Sequence, residues 1–411
     1  MTRSGVMVEP NANHADADCF RPTVLPDRPP PLLDRRTVRV LHQAVRAALL
    51  LRAGSTTDWS WPRHSELQFL RAARGHHVSG VIAPFGRELG LPAELARALN
   101  ADADRHVLTA LAHAGFLRTV HRNLSAAGIP VLFLKGLAVE AQTVRRLGER
   151  SSGDIDILVP REHVATAIAA LSPVWRLPDG YPSPAPTWAW RHWQRWGSEL
   201  PLSGPVTVDL HWQLRGGRAH LRDFARVWDA RTEVDIAGHP VPTLSAAHAL
   251  EHACRHAQHD RWRILRSLVD IHLLLDLVPA HSGASDRQSV SARSIGIVSR
   301  SIGLPDGWHA PLPSAHDWYA TLDEQRHVGS HADRNSRLTR PAYLRRMISR
   351  VSPDNRRALH DALGLLWVIS MPPPHQLGAI TTPSTVKGVF QGMQRRFRYE
   401  RARRPARLSS S

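Results

Sequence analysis

The chain has 411 residues, 42% of them hydrophobic, two cysteines and a formal net charge of +17. That length has room for two or three domains with a sizeable core, and Cys19 and Cys254 are too few for a disulfide framework. No uninterrupted apolar run approaches the ~18–20 residues that span a bilayer, and the N-terminus lacks a basic stretch followed by an apolar one, so a cytoplasmic protein without membrane contact is expected.

The positive charge is almost wholly arginine, since Lys135 and Lys387 are the only lysines. An arginine surplus beside abundant Ala and Pro reads as composition first and as a nucleic-acid surface second. Against that background a lysine at position 135 suggests a place that needs a compact ammonium.

Residues 1–36, rich in Pro, Asp and Asn, read as a disordered leader. Residues 37–129 read as a helical N-terminal layer, with helical spacing over Thr37–Arg52, Ser65–Ala73 and Ala93–Ala127, the last as one helix or two. Residues 130–215 read as an α/β core. Val131–Leu134 is a short strand ended by Lys135-Gly136, and Leu137–Leu147 a helix. Gly153-Asp154-Ile155-Asp156-Ile157-Leu158-Val159 alternates as a strand, so both carboxylates leave one face and both isoleucines enter the core. A helix over Arg161–Leu171 precedes a Pro- and Trp-rich stretch. Its Trp188, Trp190, Trp193 and Trp196 suit either base stacking or core packing. Strands follow at Glu199–Pro201 and Val206–Trp212, the second carrying Asp209 and His211.

Residues 216–375 read as a helical C-terminal domain, with helices at Leu221–Ala230, Ser245–His259, Arg261–Leu277, Tyr343–Val351 and Asn355–Ile369. Ser282–Ser301 reads as a serine-rich loop. Residues 376–411 read as a basic, disordered tail able to make weak contact with nucleic acid.

Two carboxylates held side by side repel unless a cation neutralises them. A third, Asp209, converges on Asp154 and Asp156 if the strands are neighbours. Two metal ions on such a cluster would neutralise a triphosphate and activate an acceptor oxygen. A rival motif, His248-Ala249-Leu250-Glu251-His252, has the inverted zinc-protease spacing, with His256 one turn further on. A zinc hydrolase and a non-catalytic nucleic-acid binder are therefore the competing readings.

The motifs Leu134-Lys135-Gly136, Arg150 ahead of Asp154-Ile155-Asp156-Ile157-Leu158-Val159, and Val208-Asp209-Leu210-His211-Trp212 resemble the polymerase-β-like nucleotidyltransferase superfamily. Together with His256-Ala257, Trp262 and Asp270 they are similar, over Ala101–Leu277, to a bacterial family of uncharacterised nucleotidyltransferases. The resemblance implies an α+β fold, a small mixed sheet flanked by helices with a mainly α-helical C-terminal domain. It implies Asp154, Asp156 and Asp209 as catalytic metal ligands, Asp209 alternatively as base. Lys135, Gly136 and Arg150 would meet the triphosphate. His211 would touch phosphate or orient Asp209, unless it is a buried structural histidine, and His256 and Asp270 would line the acceptor cleft. The implied cofactor is Mg²⁺ or Mn²⁺. The implied reaction moves an NMP, AMP first among them, from an NTP to a small-molecule, peptide or protein acceptor. In the superfamily a serine follows the turn glycine and touches a phosphate, but here Leu137 stands in that place.

Overall fold

A computed structural model describes residues 32–143, 146–214, 223–279, 290–328, 371–372 and 374–402. The first layer is helical: α1 (Arg35–Arg52), α2 (Glu66–Gly75), α3 (Ser79–Ile82) and α4 (Ala93–Ala126). Asp34 caps α1 by accepting from the Thr37 N–H at 2.7 Å, and Ser65 caps α2 by accepting from Gln68, each satisfying an otherwise orphaned donor. α4 is a single helix of 34 residues, uninterrupted by proline.

The core follows as β1 (Leu132–Phe133), α5 (Leu137–Thr143), β2 (Asp154–Leu158), α6 (Val164–Leu171), α7 (Trp188–Trp196), β3 (Glu199–Leu202) and β4 (Thr207–His211). Then come α8 (Phe224–Asp229), β5 (Thr232–Ile236), β6 (His239–Thr243), α9 (Ala246–His259), α10 (Leu265–Leu275), α11 (Val290–Ile302) and α12 (Ala315–Arg326). The last described helices are α13 (Pro374–Leu377) and α14 (Thr385–Ala402). The six strands make one mixed sheet in the order β3-β4-β2-β1-β6-β5. β2 is parallel to β4 and antiparallel to β1, while β1 is parallel to β6.

Two apolar clusters hold these layers together. One joins Leu41 and Val45 of α1 to Leu268 and Ile271 of α10 and Val298 of α11, so the helices before and after the sheet share a core. The other packs Leu117 and Val120 of α4, Val164 of α6 and Trp188 of α7 on Ile155, Ile157, Val208 and Leu210. Burying aliphatic side chains of this size contributes roughly 1.5–3 kcal/mol each. Trp188, Trp190 and Trp193 are all buried, and core packing accounts for them.

Three expectations need correction. β5 and β6 fall within the stretch read as helices. They form a hairpin through Ala237 and Gly238, both at positive φ (52° and 78°), a primed turn that matches strand twist. Within Ser282–Ser301, the described part from Val290 on is helix α11, because Ile295, Val298 and Ile302 bury at helical spacing. The start of the basic tail is also helical. α14 docks through Gly388 and Gly392, one turn apart, where an added Cβ would lie 2.3 and 3.3 Å from the Trp188 ring. Most of the leader, the two helices expected within 343–369 and residues 403–411 lie outside the described residues.

Candidate active site

The parallel register of β2 and β4 sets Asp156 directly opposite Asp209 and Asp154 opposite Thr207. Ile155 and Ile157 are 4% and 0% exposed, so the alternation turns the carboxylates to the other face. Oxygens of Asp154, Asp156 and Asp209 all lie within 4.8 Å of one another. Among the described residues this is the one group of three or more His, Cys, Asp or Glu side chains so placed.

Lys135 arrives from the other side. The Leu134 N–H donates to the Asp156 carbonyl at 3.0 Å, which carries the next residue past β2. The Lys135 ammonium then reaches Asp156 Oδ1 at 2.7 Å. His211 Nε2 lies 3.2 Å from the same oxygen, and its Nδ1 lies 3.3 Å from Glu199 Oε2. Of the roles open to His211, contact with phosphate, orientation of Asp209 or a buried structural place, its polar contacts here are with Asp156 and Glu199.

These neighbours divide the three acids electrostatically. Burial pushes Asp156 up, but Lys135 and then His211 more than reverse it and hold the carboxyl well below its usual range. Burial, followed by repulsion from Asp156, raises Asp154 and pushes Asp209 up to about 7. A cluster of hard oxygen donors, two of them disfavoured as bare anions, fits a hard divalent cation such as Mg²⁺ or Mn²⁺.

Gly136 has φ +59°, and a Cβ there would stand 2.7 Å from Ser152 Oγ. Only glycine turns here without strain. Ser152 gave no signal in the sequence beyond its place beside the acidic strand, yet its hydroxyl faces the turn and donates to the Asp154 carbonyl at 3.1 Å.

Arg150 and Asp270 differ from expectation. The guanidinium forms a two-pronged pair with the Asp270 carboxylate, at 2.9 and 3.0 Å. Both side chains are nearly buried, 10% and 12% exposed. Asp270 is thereby engaged in holding the loop before β2, and Arg150 is committed to Asp270. Further ties hold the same loop. Buried Glu140 of α5 accepts from the Arg150 N–H at 3.0 Å, and Arg52 of α1 pairs with Glu149. Arg266 of α10 donates to the Ser151 carbonyl. Glu140, Arg52 and Arg266 are not legible as site supports because each acts on the loop from a different helix, α5, α1 and α10.

α9 forms a wall beside the acids. His256 is lowered to about 4, first by Lys135 and then by burial, and burial followed by Lys135 holds His252 well below its usual range. The zinc-type set does not assemble: His248, Glu251 and His252 make no three-ligand cluster, and Glu251 accepts from Arg255 at 3.0 and 3.1 Å.

A mixed sheet that presents a lysine–glycine turn, an alternating aspartate pair and a third aspartate on the adjoining parallel strand is a nucleotidyltransferase core. Residues 64–297 match the profile of the uncharacterised nucleotidyltransferase family, and the chain belongs to that family. Among solved structures it aligns with the lincomycin-bound lincosamide antibiotic adenylyltransferase LnuA. The identity is 16%, the coverage 39% of this chain and 96% of that one, and the TM-score 0.28. A search of curated proteins finds no match. Among the described residues no helix is long and apolar enough to cross a membrane.

Proposed function

We propose that this nucleotidyltransferase is metal-dependent and moves AMP from ATP to a hydroxyl on a small-molecule, peptide or protein acceptor. The observation that carries the proposal is the convergence of Asp154, Asp156 and Asp209 within 4.8 Å. Asp154 and Asp156 would hold Mg²⁺ or Mn²⁺, with Asp209 as a third ligand or as base. When bound, the metal neutralises phosphate charge and stabilises the departing pyrophosphate.

The chain's own residues do the rest. Lys135 and His211 keep Asp156 ionised. Asp209, raised to about 7, is matched to taking the acceptor's proton near neutral pH. As that proton leaves, the acceptor oxygen bonds to the α-phosphorus and the bond to the pyrophosphate oxygen breaks. The buried sheet floor and the α9 wall limit water, which would otherwise compete with the acceptor.

The test is binding of ATP with Mg²⁺ to the wild type and to an Asp154→Ala/Asp156→Ala variant, alongside incubation with α-labelled ATP and cell extract. Metal-dependent binding lost in the variant, and acceptor labelling only by the intact triad, is expected. Equal affinity in both proteins sinks the metal assignment.

A further inference from the structure

Arg150, expected with Lys135 and Gly136 to meet the triphosphate, has the Nε–Nη2 edge of its guanidinium taken by Asp270. Arg266, four residues before Asp270 on α10, is differently placed. One guanidinium nitrogen donates to the Ser151 carbonyl. Its Nε is buried with no hydrogen-bond partner. No carboxylate comes within ion-pairing distance of it among the described residues, although Asp270, Asp154 and Asp156 are near enough to act on its charge. Burial and the neighbouring Arg150 disfavour its cation, which is pulled down to about 10 and so remains charged at neutral pH. A partly buried guanidinium with an unpartnered Nε and no ion pair of its own is costly, and an anion entering beside it would relieve that cost.

The loop that Arg266 grips leads to the glycine turn. Ser151 is held by Arg266 through its carbonyl, and its hydroxyl lies 3.4 Å from His77 Nδ1. The next residue, Ser152, puts its hydroxyl where a side chain on Gly136 would stand, at 2.7 Å. A glycine turn, the hydroxyl packed on it and a planar cation thus gather near Asp154. That combination suits phosphate oxygens.

We propose that Arg266 and Ser152 are the further polyphosphate contacts of the nucleotide site, beside the Lys135-Gly136 turn that the family resemblance already assigns to the triphosphate. Ser152 supplies the hydroxyl that Leu137 cannot, and Arg150 serves the loop without touching phosphate. The inference rests on the nucleotidyltransferase function proposed above.

The experiment measures binding of Mg·ATP, AMP and inorganic tripolyphosphate to the full chain as wild type, Arg266→Met, Arg266→Lys and Ser152→Ala, with thermal melts of each. Arg266→Met should weaken ATP and tripolyphosphate by about 10- to 100-fold, the worth of a charge-assisted contact. AMP, lacking the outer phosphates, should stay within about twofold. Arg266→Lys should fall between, since it keeps the charge and loses the fork, and it reports the ATP-to-AMP ratio should the Met variant not fold. Ser152→Ala should cost about 3- to 10-fold for ATP. Equal weakening of ATP and AMP would reduce Arg266 to a prop for the loop, and no weakening of either would also overturn the subsite. Both outcomes leave the function standing if wild type binds ATP through the triad. A wild type that binds no nucleotide overturns the function and the subsite together.

Discussion

The Lys135 ammonium sits 2.7 Å from Asp156 Oδ1, and it decides which of three crowded acids stays ionised. In a chain that uses arginine almost everywhere else, this side chain is only 21% exposed, and there a compact ammonium and a wider guanidinium fork are not interchangeable. Lys135→Met should therefore lower nucleotide transfer by at least about 100-fold, the scale of losing one preorganised charge in a site. Lys135→Arg should rescue less than a tenth of it. A Lys135→Arg enzyme with near-normal kcat/KM would show that charge alone suffices there.

Metal binding should depend on pH through Asp209. Its carboxyl is raised to about 7, first by burial and then by Asp156, and a protonated carboxyl is a poor ligand. Between pH 7 and 6 the apparent Mn²⁺ affinity should fall by about fivefold, because the proton competes with the metal. Above pH 8 it should level off. Titration calorimetry with Mn²⁺ from pH 6 to 8 measures this, and Asp209→Asn should flatten the slope. An unchanged slope in that variant would place the titrating group elsewhere.

Gly136 should tolerate no side chain. Its φ of +59° costs an L-residue about 1–2 kcal/mol, and a Cβ would press on Ser152 Oγ at 2.7 Å. Gly136→Ala should lower urea stability by more than the backbone cost alone. In the Ser152→Gly background the excess should vanish while the backbone cost persists. A purely additive double-mutant cycle would mean that the hydroxyl moves aside freely.

Which of these features were legible depended on how far apart in sequence the partners lie. The alternation of Asp154 and Asp156 with Ile155 and Ile157 is local, so strand geometry alone turns the acids together. Lys135-Gly136 carried its own turn signal. The Arg150–Asp270 pair spans 120 residues, and no periodicity links its ends, so Arg150 reads as a triphosphate contact and Asp270 as a cleft residue, although in the fold they pair with each other. β6 was hidden for another reason. Pro240 and Pro242 interrupt the strand signal, and its turn uses Ala237-Gly238 where Asn-Gly would have announced a hairpin. α11 was masked by serines, although its Ile295, Val298 and Ile302 were spaced for a helix.

Glu140 gives a second, separate pH dependence, in stability. The side chain is 1% exposed, Oε2 has no partner, and burial pushes the carboxyl up to about 7 from 4.5. A carboxyl raised in the folded state binds its proton more tightly there, so folding is favoured at low pH. The benefit is complete below about 4.5 and is lost as pH rises to about 7. The full swing is about 3 kcal/mol at most, taking 1.36 kcal/mol per unit. Glu140→Gln keeps an acceptor for the Arg150 N–H and should be more stable than wild type at pH 8 but not at pH 4.5. Urea midpoints of the two proteins that run parallel across that range would exclude Glu140 as the source.

The Arg150–Asp270 pair makes opposite demands on single and double substitutions. Both partners are nearly buried, so Arg150→Met strands an acid and Asp270→Leu strands a guanidinium. Each should cost about 3–5 kcal/mol in urea unfolding. The double variant removes both charges and should recover most of that loss, because apolar side chains can fill the space that the pair occupied. The same proteins separate a loop-holding Arg150 from a phosphate-binding one. A guanidinium that only holds the loop leaves nucleotide affinity in the double variant close to wild type. A double variant that folds stably but binds ATP at least tenfold more weakly than wild type would return Arg150 to the phosphates.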